Sequence, residues 1–131
     1  MDFIKLAKSV TRHQETEEFL LVKRSEEDTH PGKWEFPGGG CEDEKPEKAA
    51  LRELQEETGL NGELVKTGEV VDWIKDSIKL RFHPFLIEVG SKKVELSHEH
   101  QDHEWVELSE IKEFETIDGL KQDLKSLGVI E

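Results

Sequence analysis

The sequence lacks the residues and segments that several classes of protein require. It contains a single cysteine, Cys41, so no disulfide can form within the chain, which suits a reducing compartment. No apolar run approaches the length of about 18 residues that a membrane-spanning helix needs, and residues 1–5 are unlike a signal peptide. We therefore expect a cytoplasmic protein that has no membrane partner.

Basic residues are also scarce, because 18 Lys and Arg stand against 31 Asp and Glu, a formal net charge of −13. Nucleic acid polymers and anionic membranes are bound through basic patches, so we expect neither as a partner. A small nucleotide is compatible with an acidic protein when a metal ion supplies positive charge locally. At 131 residues the chain is long enough for one core, which predicts one domain over 1–131, as a monomer or homodimer.

Short apolar runs and two helical patterns indicate the fold class. Pro46 suits the first turn of a helix and Gly59 suits its C-terminal stop, so a helix is predicted over 46–58. Leu120, Leu124 and Leu127 at helical spacing predict a second helix that ends near Gly128. Strands are predicted at 3–10, 19–23, 69–74, 78–89 and 105–108. This order predicts an α/β or α+β sandwich, and Pro84 predicts an edge or a bulge in the fourth strand.

The first predicted helix carries a stripe of carboxylates. Glu53, Glu56 and Glu57 fall within an arc of about 100°, while Leu51 and Leu54 point to roughly the opposite side. Like charges three and four residues apart repel, and the helix dipole disfavours anions in the last turn. A bound hard cation removes both penalties, since Mg²⁺ takes carboxylate oxygens and usually shares itself with substrate phosphates. The stripe therefore predicts a metal site.

A longer motif surrounds this stripe in residues 38–60. It reads Gly-x5-Glu-x7-Arg-Glu-U-x-Glu-Glu-x-Gly-U, with U aliphatic, at Gly38, Glu44, Arg52, Glu53, Leu54, Glu56, Glu57, Gly59 and Leu60. The pattern resembles the Nudix box at every fixed position and is highly specific. The resemblance implies an α/β/α sandwich, a mixed β-sheet flanked by helices. It also implies an enzyme that hydrolyses a nucleoside diphosphate linked to another moiety, using a divalent metal.

The resemblance assigns roles to residues of this motif. It implies that the carbonyl of Gly38 joins Glu53, Glu56 and Glu57 as a ligand of Mg²⁺, for which Mn²⁺ can substitute. Arg52 lies next to this arc, where a guanidinium can orient carboxylates. Glycine at 38 and 39 lets the backbone approach metal or phosphate closely, which makes Gly39 a candidate substrate contact. Glu44 either caps the helix or binds metal or water at longer range. Cys41 reads as a small residue in a glycine-rich turn rather than as a nucleophile.

A second concentration of polar residues lies at 97–105. His98, His100 and His103 allow a zinc site, although their spacing is not a standard helical one. Enzymes of the MutT type within the Nudix family carry a glutamate six residues ahead of a tryptophan, and Glu99 and Trp105 have that spacing. This resemblance implies that Glu99 is an additional metal ligand or the base that deprotonates water. Glu53 is its rival as the base, and the sequence leaves both open.

Three further residues are candidates for substrate binding by the same resemblance. Arg24 ends a strand before the Glu-Phe-Pro-Gly-Gly segment, which implies contact with a phosphate or base. Phe36 is implied to flank the base, and core packing is its alternative. Asp118 falls where MutT-type enzymes place an Asn or Asp that reads the purine edge, and a helix cap explains it equally well.

Absent signatures narrow the substrate. The proline typical of ADP-ribose hydrolases is missing after the box, the coenzyme A signature is incomplete at Thr29, and the chain contains no tyrosine of the kind found in dinucleoside polyphosphate hydrolases. The remaining resemblance is to MutT-type enzymes that cleave nucleoside triphosphates to monophosphates and pyrophosphate, some of which prefer oxidised bases. Hydrolysis of another nucleoside diphosphate derivative and a non-catalytic nucleotide-sensing module are the alternatives. Intact Glu53, Glu56 and Glu57 argue against the sensing module.

Overall fold

The computed structural model describes residues 2–131 as two groups of four strands, one on either side of a helix in the chain, followed by two short helices. The strands are β1 (Ile4–His13), β2 (Phe19–Arg24), β3 (Trp34–Glu35), β4 (Gly38–Gly40), β5 (Gly62–Thr67), β6 (Val71–Lys75), β7 (Ile78–Val89) and β8 (His100–Val106). The helices are α1 (Pro46–Thr58) and α2 (Leu120–Ser126), with a 3₁₀ helix at Leu108–Glu113 between β8 and α2. Within the described residues no helix is long and apolar enough to cross a membrane.

The strands form one mixed sheet whose main path runs β3-β2-β1-β7-β5. β1 and β7 are parallel over ten residue pairs, and the other pairings are antiparallel. β1 and β2 pair only at Arg12 and Phe19, so they diverge from that point. β4 lines the opened edge of β1 and β3 lines β2, which places the glycine segment between the two diverging strands.

Helices cover both faces of this sheet. Ala49, Ala50 and Leu54 of α1 pack with alanine, valine and leucine side chains of β1, β2 and β7 on one face. On the other face, α2 and the 3₁₀ helix pack with Val10, Phe36 and their neighbours. The predicted α/β/α sandwich with a mixed sheet is therefore confirmed.

The helix that carries the carboxylate stripe has the bounds predicted from sequence. Pro46 occupies its first turn, and Gly59 ends it with a φ of 77°, a left-handed conformation that glycine adopts without steric cost. The N–H of Gly59 donates to the carbonyl of Gln55. Glu44 does not act as the cap, because the N-cap position belongs to Lys45 and the Glu44 carboxylate accepts a hydrogen bond from Arg52 instead.

Of the two alternatives predicted for Pro84, the edge is wrong, whereas the pairing beside it is irregular, since three residues, 68–70, stand opposite His83 and Pro84. β7 is an interior strand, paired with β1 on one side and with β5 and then β6 on the other. Pro84 sits where the second neighbour changes, between Phe82, which pairs with β6, and Phe85, which pairs with β5. Its carbonyl accepts from the Gly68 N–H at 2.9 Å. Its nitrogen therefore faces the same gap between β5 and β6, and the missing N–H breaks no hydrogen bond of the sheet.

Other elements also differ from the sequence-based expectation, among them β3, β4, β5 and the last strand. β5 was not predicted, because its residues are largely exposed and the strand shows a register shift between Leu64 and Lys66. The last strand was predicted over 105–108 but begins at His100, and Leu108 already belongs to the 3₁₀ helix. The earlier start matters for the site, since it places Glu99 directly ahead of a buried strand residue.

Candidate active site

Arg52 gathers the carboxylates of the motif. Its Nε donates to Glu44 Oε1 at 2.6 Å, and its Nη1 donates to both oxygens of Glu56 at 2.8 and 2.9 Å and to Glu53 Oε1 at 3.2 Å. Its Nη2 donates to the carbonyl of Gly40 at 3.3 Å. The hydrogen bonds to Glu44 and Glu56 raise the pKa of Arg52 above its usual range. Arg52 therefore orients the carboxylate stripe and ties it to β4.

Glu57 is the most deeply placed of these carboxylates, with 1% of its surface exposed. Its Oε2 accepts the backbone N–H of Gly38 at 3.3 Å, and its Oε1 has no hydrogen-bond partner among the described residues. Burial is the main reason that the pKa of Glu57 is raised, and the nearby carboxylates of Glu53 and Glu99 add to it. An orphaned carboxylate oxygen in this position is suited to a cation.

Glycine at position 39 makes room for the carboxylate of Glu53. A Cβ atom at Gly39 would stand 2.6 Å from Glu53 Cδ and 2.7 and 2.8 Å from its two oxygens. At Gly38 a Cβ atom would stand 2.3 Å from the carbonyl oxygen of Ala7, whereas at Gly40 it would meet nothing within 4 Å. The first two glycines therefore allow two close approaches, one to β1 and one to α1.

The residues at this place fit a hard divalent cation. The donors are carboxylate and carbonyl oxygens, which Mg²⁺ prefers, and the buried Oε1 of Glu57 lacks a partner. Within residues 2–131, no group of three His, Cys, Asp or Glu side chains stands at metal-binding spacing. The carboxylates of Glu53 and Glu56 are instead hydrogen-bonded to Arg52.

Glu35, which sequence reasoning missed, is connected to Glu57 through His100, which the sequence offered only to a zinc site. Glu35 of β3 accepts a hydrogen bond from Arg24 Nη1 through Oε1, and its Oε2 is 2.8 Å from His100 Nε2. The other ring nitrogen of His100 stands 3.5 Å from Glu57 Oε1. Burial alone would raise the pKa of Glu35, but the hydrogen bond from His100 and the charges of Lys8 and Arg24 outweigh it and lower that pKa to about 2. Glu35 is therefore an ionised carboxylate in the interior.

The three predicted substrate-binding side chains have three different surroundings. The Arg24 guanidinium is held by Glu35, by the carbonyl and hydroxyl of Thr29 and by Asp28. Phe36 is 1% exposed within the core on the α2 side, which is the packing alternative. Asp118 is exposed on the turn before α2, and the residue that caps α2 is Gly119, so the helix-cap alternative for Asp118 is wrong.

Glu99 is exposed, and its backbone is fixed on both sides. Its carbonyl accepts from the Ser25 N–H at 3.3 Å, and the Ser97 N–H donates to the carbonyl of Glu57 at 3.1 Å. The charge of Glu99 contributes to the raised pKa of Glu57, which places the two carboxylates near each other. The alternative of a zinc site at His98, His100 and His103 is not supported, because both ring nitrogens of His100 face Glu35 and Glu57 rather than other histidines.

Cys41 is a packing residue. It is 1% exposed, belongs to the core on the α1 side and follows the glycine strand directly. Burial raises the pKa of its thiol, which removes the thiolate that a nucleophile needs. This agrees with the expectation of a small residue in a glycine-rich turn.

Comparison with known proteins identifies the family. The sequence model of the NUDIX domain matches residues 5–125. The MutT protein from Methanosarcina mazei Go1 superposes with a TM-score of 0.76 at 31% identity, over 92% of this chain and 88% of that protein. Nudix hydrolase 25 of Arabidopsis thaliana is 54% identical over 46 residues, 34% of this chain and 25% of its own length.

A third relative is the mouse diphosphoinositol polyphosphate phosphohydrolase 3-alpha, 38% identical over 79 residues. The match spans 60% of this chain and 46% of the mouse protein. In both curated relatives, the matched region is less than half of the relative's own length. The domain match, the sandwich fold and the carboxylate motif agree with one another. The chain belongs to the Nudix family of hydrolases.

Proposed function

We propose that the chain is a Mg²⁺-dependent pyrophosphohydrolase of nucleoside triphosphates, with Mn²⁺ as a substitute metal. The reaction converts a nucleoside triphosphate and water to the monophosphate and pyrophosphate. The observation that carries the proposal is the set of carboxylates on α1, held by Arg52 against the glycine strand, with one buried oxygen of Glu57 unpaired. A nucleotide-sensing module would have no need for this complete acidic set.

The ligands proposed for the metal are the Gly38 carbonyl and the carboxylates of Glu53, Glu56 and Glu57, and Glu99 is either a further ligand or the base. When bound, Mg²⁺ offsets the negative charge that develops on the phosphate oxygens. Arg52 keeps Glu53 and Glu56 oriented before substrate arrives, and this preparation lowers the reorganisation needed during the reaction.

The water that attacks phosphorus must lose a proton to a carboxylate within hydrogen-bond reach. Glu53 and Glu99 are the two candidates. Glu53 is largely enclosed and shares its Oε1 with Arg52, whereas Glu99 is exposed on a fixed backbone. An exposed carboxylate is free to meet water, whereas the Oε1 of Glu53 is already occupied by a hydrogen bond from Arg52. These arguments favour Glu99 as the base.

Substrate contacts are proposed at Arg24, Gly39, Phe36 and Asp118. The Arg24 guanidinium is hydrogen-bonded to Glu35 and Thr29. Its position is therefore fixed before a phosphate binds. Phe36 would meet a base only after the core on the α2 side opens. Asp118 is exposed and free to contact the edge of a base.

The products decide the proposed function. We expect a nucleoside triphosphate, incubated with the protein and Mg²⁺, to give the monophosphate and pyrophosphate, resolved by anion-exchange chromatography. The panel should contain oxidised and normal bases, ADP-ribose, a dinucleoside polyphosphate and a diphosphoinositol polyphosphate, the last because of the name of the mouse relative. A diphosphate and inorganic phosphate as products, or hydrolysis without any divalent metal, would contradict the proposal.

The choice between the two candidate bases has its own test. Glu99→Gln is expected to lower kcat at least about a hundredfold, because a general base contributes on this scale. Nucleotide affinity should remain nearly unchanged, since the lost interaction matters mainly in the transition state. Single-turnover kinetics and equilibrium binding measure the two quantities separately. If kcat is unchanged in Glu99→Gln, Glu53 becomes the favoured base.

A further inference from the structure

A buried line of side chains connects two parts of the candidate site. Arg24 Nη1 is 2.8 Å from Glu35 Oε1, Glu35 Oε2 is 2.8 Å from His100 Nε2, and His100 Nδ1 is 3.5 Å from Glu57 Oε1. Glu35 and His100 are each 6% exposed and Glu57 is 1% exposed. The line joins β2, β3, β8 and α1, four elements far apart in sequence.

The ionised state of Glu35 decides which atoms donate and which accept hydrogen bonds along this line of side chains. Its ionised carboxylate only accepts hydrogen bonds, so Nε2–H of His100 must donate to it. The ring is thereby anchored at one nitrogen, and its other nitrogen faces Glu57 Oε1. Glu57 is also held from the opposite side, where Oε2 accepts from the Gly38 N–H. Its carboxylate therefore lies between contacts from β4 and β8.

Stability alone does not explain this arrangement. Glu57 Oε1 and His100 Nδ1 are buried without a hydrogen-bond partner among the described residues, and such groups cost folding free energy. Apolar side chains of similar volume would pack at these places without that cost. The unpaired polar atoms lower the stability of the fold, and they lie beside the carboxylate motif. The same line of side chains also holds Arg24, a proposed substrate contact. We therefore attribute the arrangement to a requirement of the site rather than of the fold.

We propose that His100 and Glu35 are positioning residues that fix the carboxylate of Glu57 for the divalent metal. Glu35 anchors the ring and His100 limits the rotation of the carboxylate. Because Glu99 precedes His100 in the chain, the buried ring also fixes the start of β8, beside which Glu99 lies. This inference rests on the proposed role of Glu57 as a metal ligand.

The test compares two replacements of the ring by titration calorimetry with Mn²⁺ and no nucleotide. An asparagine amide reaches about as far as Nδ1, so His100→Asn keeps a polar neighbour for Glu57. A glutamine amide reaches about as far as Nε2, so His100→Gln keeps the contact with Glu35 and loses the one with Glu57. We expect His100→Gln to weaken Mn²⁺ binding about tenfold or more, the scale for residues that orient metal ligands, and His100→Asn to weaken it less.

Two further variants complete the experiment. His30→Asn, at an exposed position with a φ of 55°, is the matched control and should bind Mn²⁺ like the wild type. Glu35→Gln keeps the shape of the side chain and removes its charge, so it tests the same line of side chains even if the His100 variants do not fold. It should weaken Mn²⁺ binding in the same direction and raise KM, because Arg24 loses a charged acceptor, while His100→Gln should change KM little. Thermal unfolding of each variant shows whether the fold is retained.

The outcomes separate this inference from the proposed function. Wild-type protein that binds no Mn²⁺ would refute the metal assignment itself and the positioning role with it. If the wild type binds and both His100 variants bind equally well, the positioning role is refuted while the proposed function stands. Equal weakening in both His100 variants, accompanied by equal loss of thermal stability, would indicate packing alone and also refute it.

Discussion

Glu57→Gln and Glu56→Gln are each expected to lower kcat at least about a hundredfold, because each removes an anionic ligand that holds charge against the reacting phosphates. The larger effect is expected for Glu57→Gln. Glu57 is enclosed between Gly38 and His100, so no neighbouring water can take its place easily. Glu56 is partly exposed, and Arg52 already neutralises part of its charge.

Folding should survive both substitutions. The pKa of Glu57 is raised by burial, so its ionised form disfavours the folded state of the metal-free protein. The contribution of this group to stability is present below the pKa that it has when unfolded and is lost as the pH rises. Glu57→Gln should therefore equal or exceed the wild type in urea unfolding at pH 8 without metal.

Steady-state kinetics at saturating Mg²⁺, together with unfolding curves, measure both quantities. Glu63→Gln on the exposed strand β5 is the matched control and should behave as the wild type. Wild-type turnover by either Glu56→Gln or Glu57→Gln would remove the metal assignment. Low activity in an unfolded variant would not, since it would reflect stability.

The features that could be predicted from sequence are those with a local cause. A proline in the first turn and a glycine after the last turn mark the two ends of a helix through their own backbone preferences. The bounds of α1 were therefore predicted correctly from Pro46 and Gly59. The carboxylate stripe follows from helical periodicity alone, and the hydrogen bonds of Arg52 to Glu56 follow from a spacing of four residues. The Nudix box identifies the family from the same region, whose helix and carboxylate stripe are already predicted by the local sequence.

The features that were missed depend on contacts between distant parts of the chain. Glu35 and His100 are 65 residues apart, and neither has a sequence signal that names the other as its partner. The same holds for Pro84, whose place in an interior strand is tolerable only because β5 gives way to β6 beside it. The sequence could not decide whether Phe36 flanks a base or packs in the core, because an aromatic residue before a glycine segment suits both roles equally well.

A methyl group added to each of the three glycines should give three different results. At Gly39 it would stand within 2.8 Å of all three carboxyl atoms of Glu53. These atoms are the far end of a flexible side chain, so the fold should accommodate the change by moving them. A displacement of about 1 Å at a catalytic group costs about a hundredfold in rate. We therefore expect Gly39→Ala to fold normally and to lose about two orders of magnitude in kcat/KM.

The neighbouring glycines make this result interpretable. Gly40→Ala meets nothing within 4 Å and should keep both its stability and its activity. Gly38→Ala would place its methyl group 2.3 Å from the backbone oxygen of Ala7, which cannot move without parting β4 from β1, so stability should fall with activity. Kinetics, Mn²⁺ binding and thermal unfolding of the three variants decide the matter. If Gly39→Ala retains full activity, the carboxylate of Glu53 does not need the position it occupies beside β4, and its proposed role as a metal ligand would have to be given up.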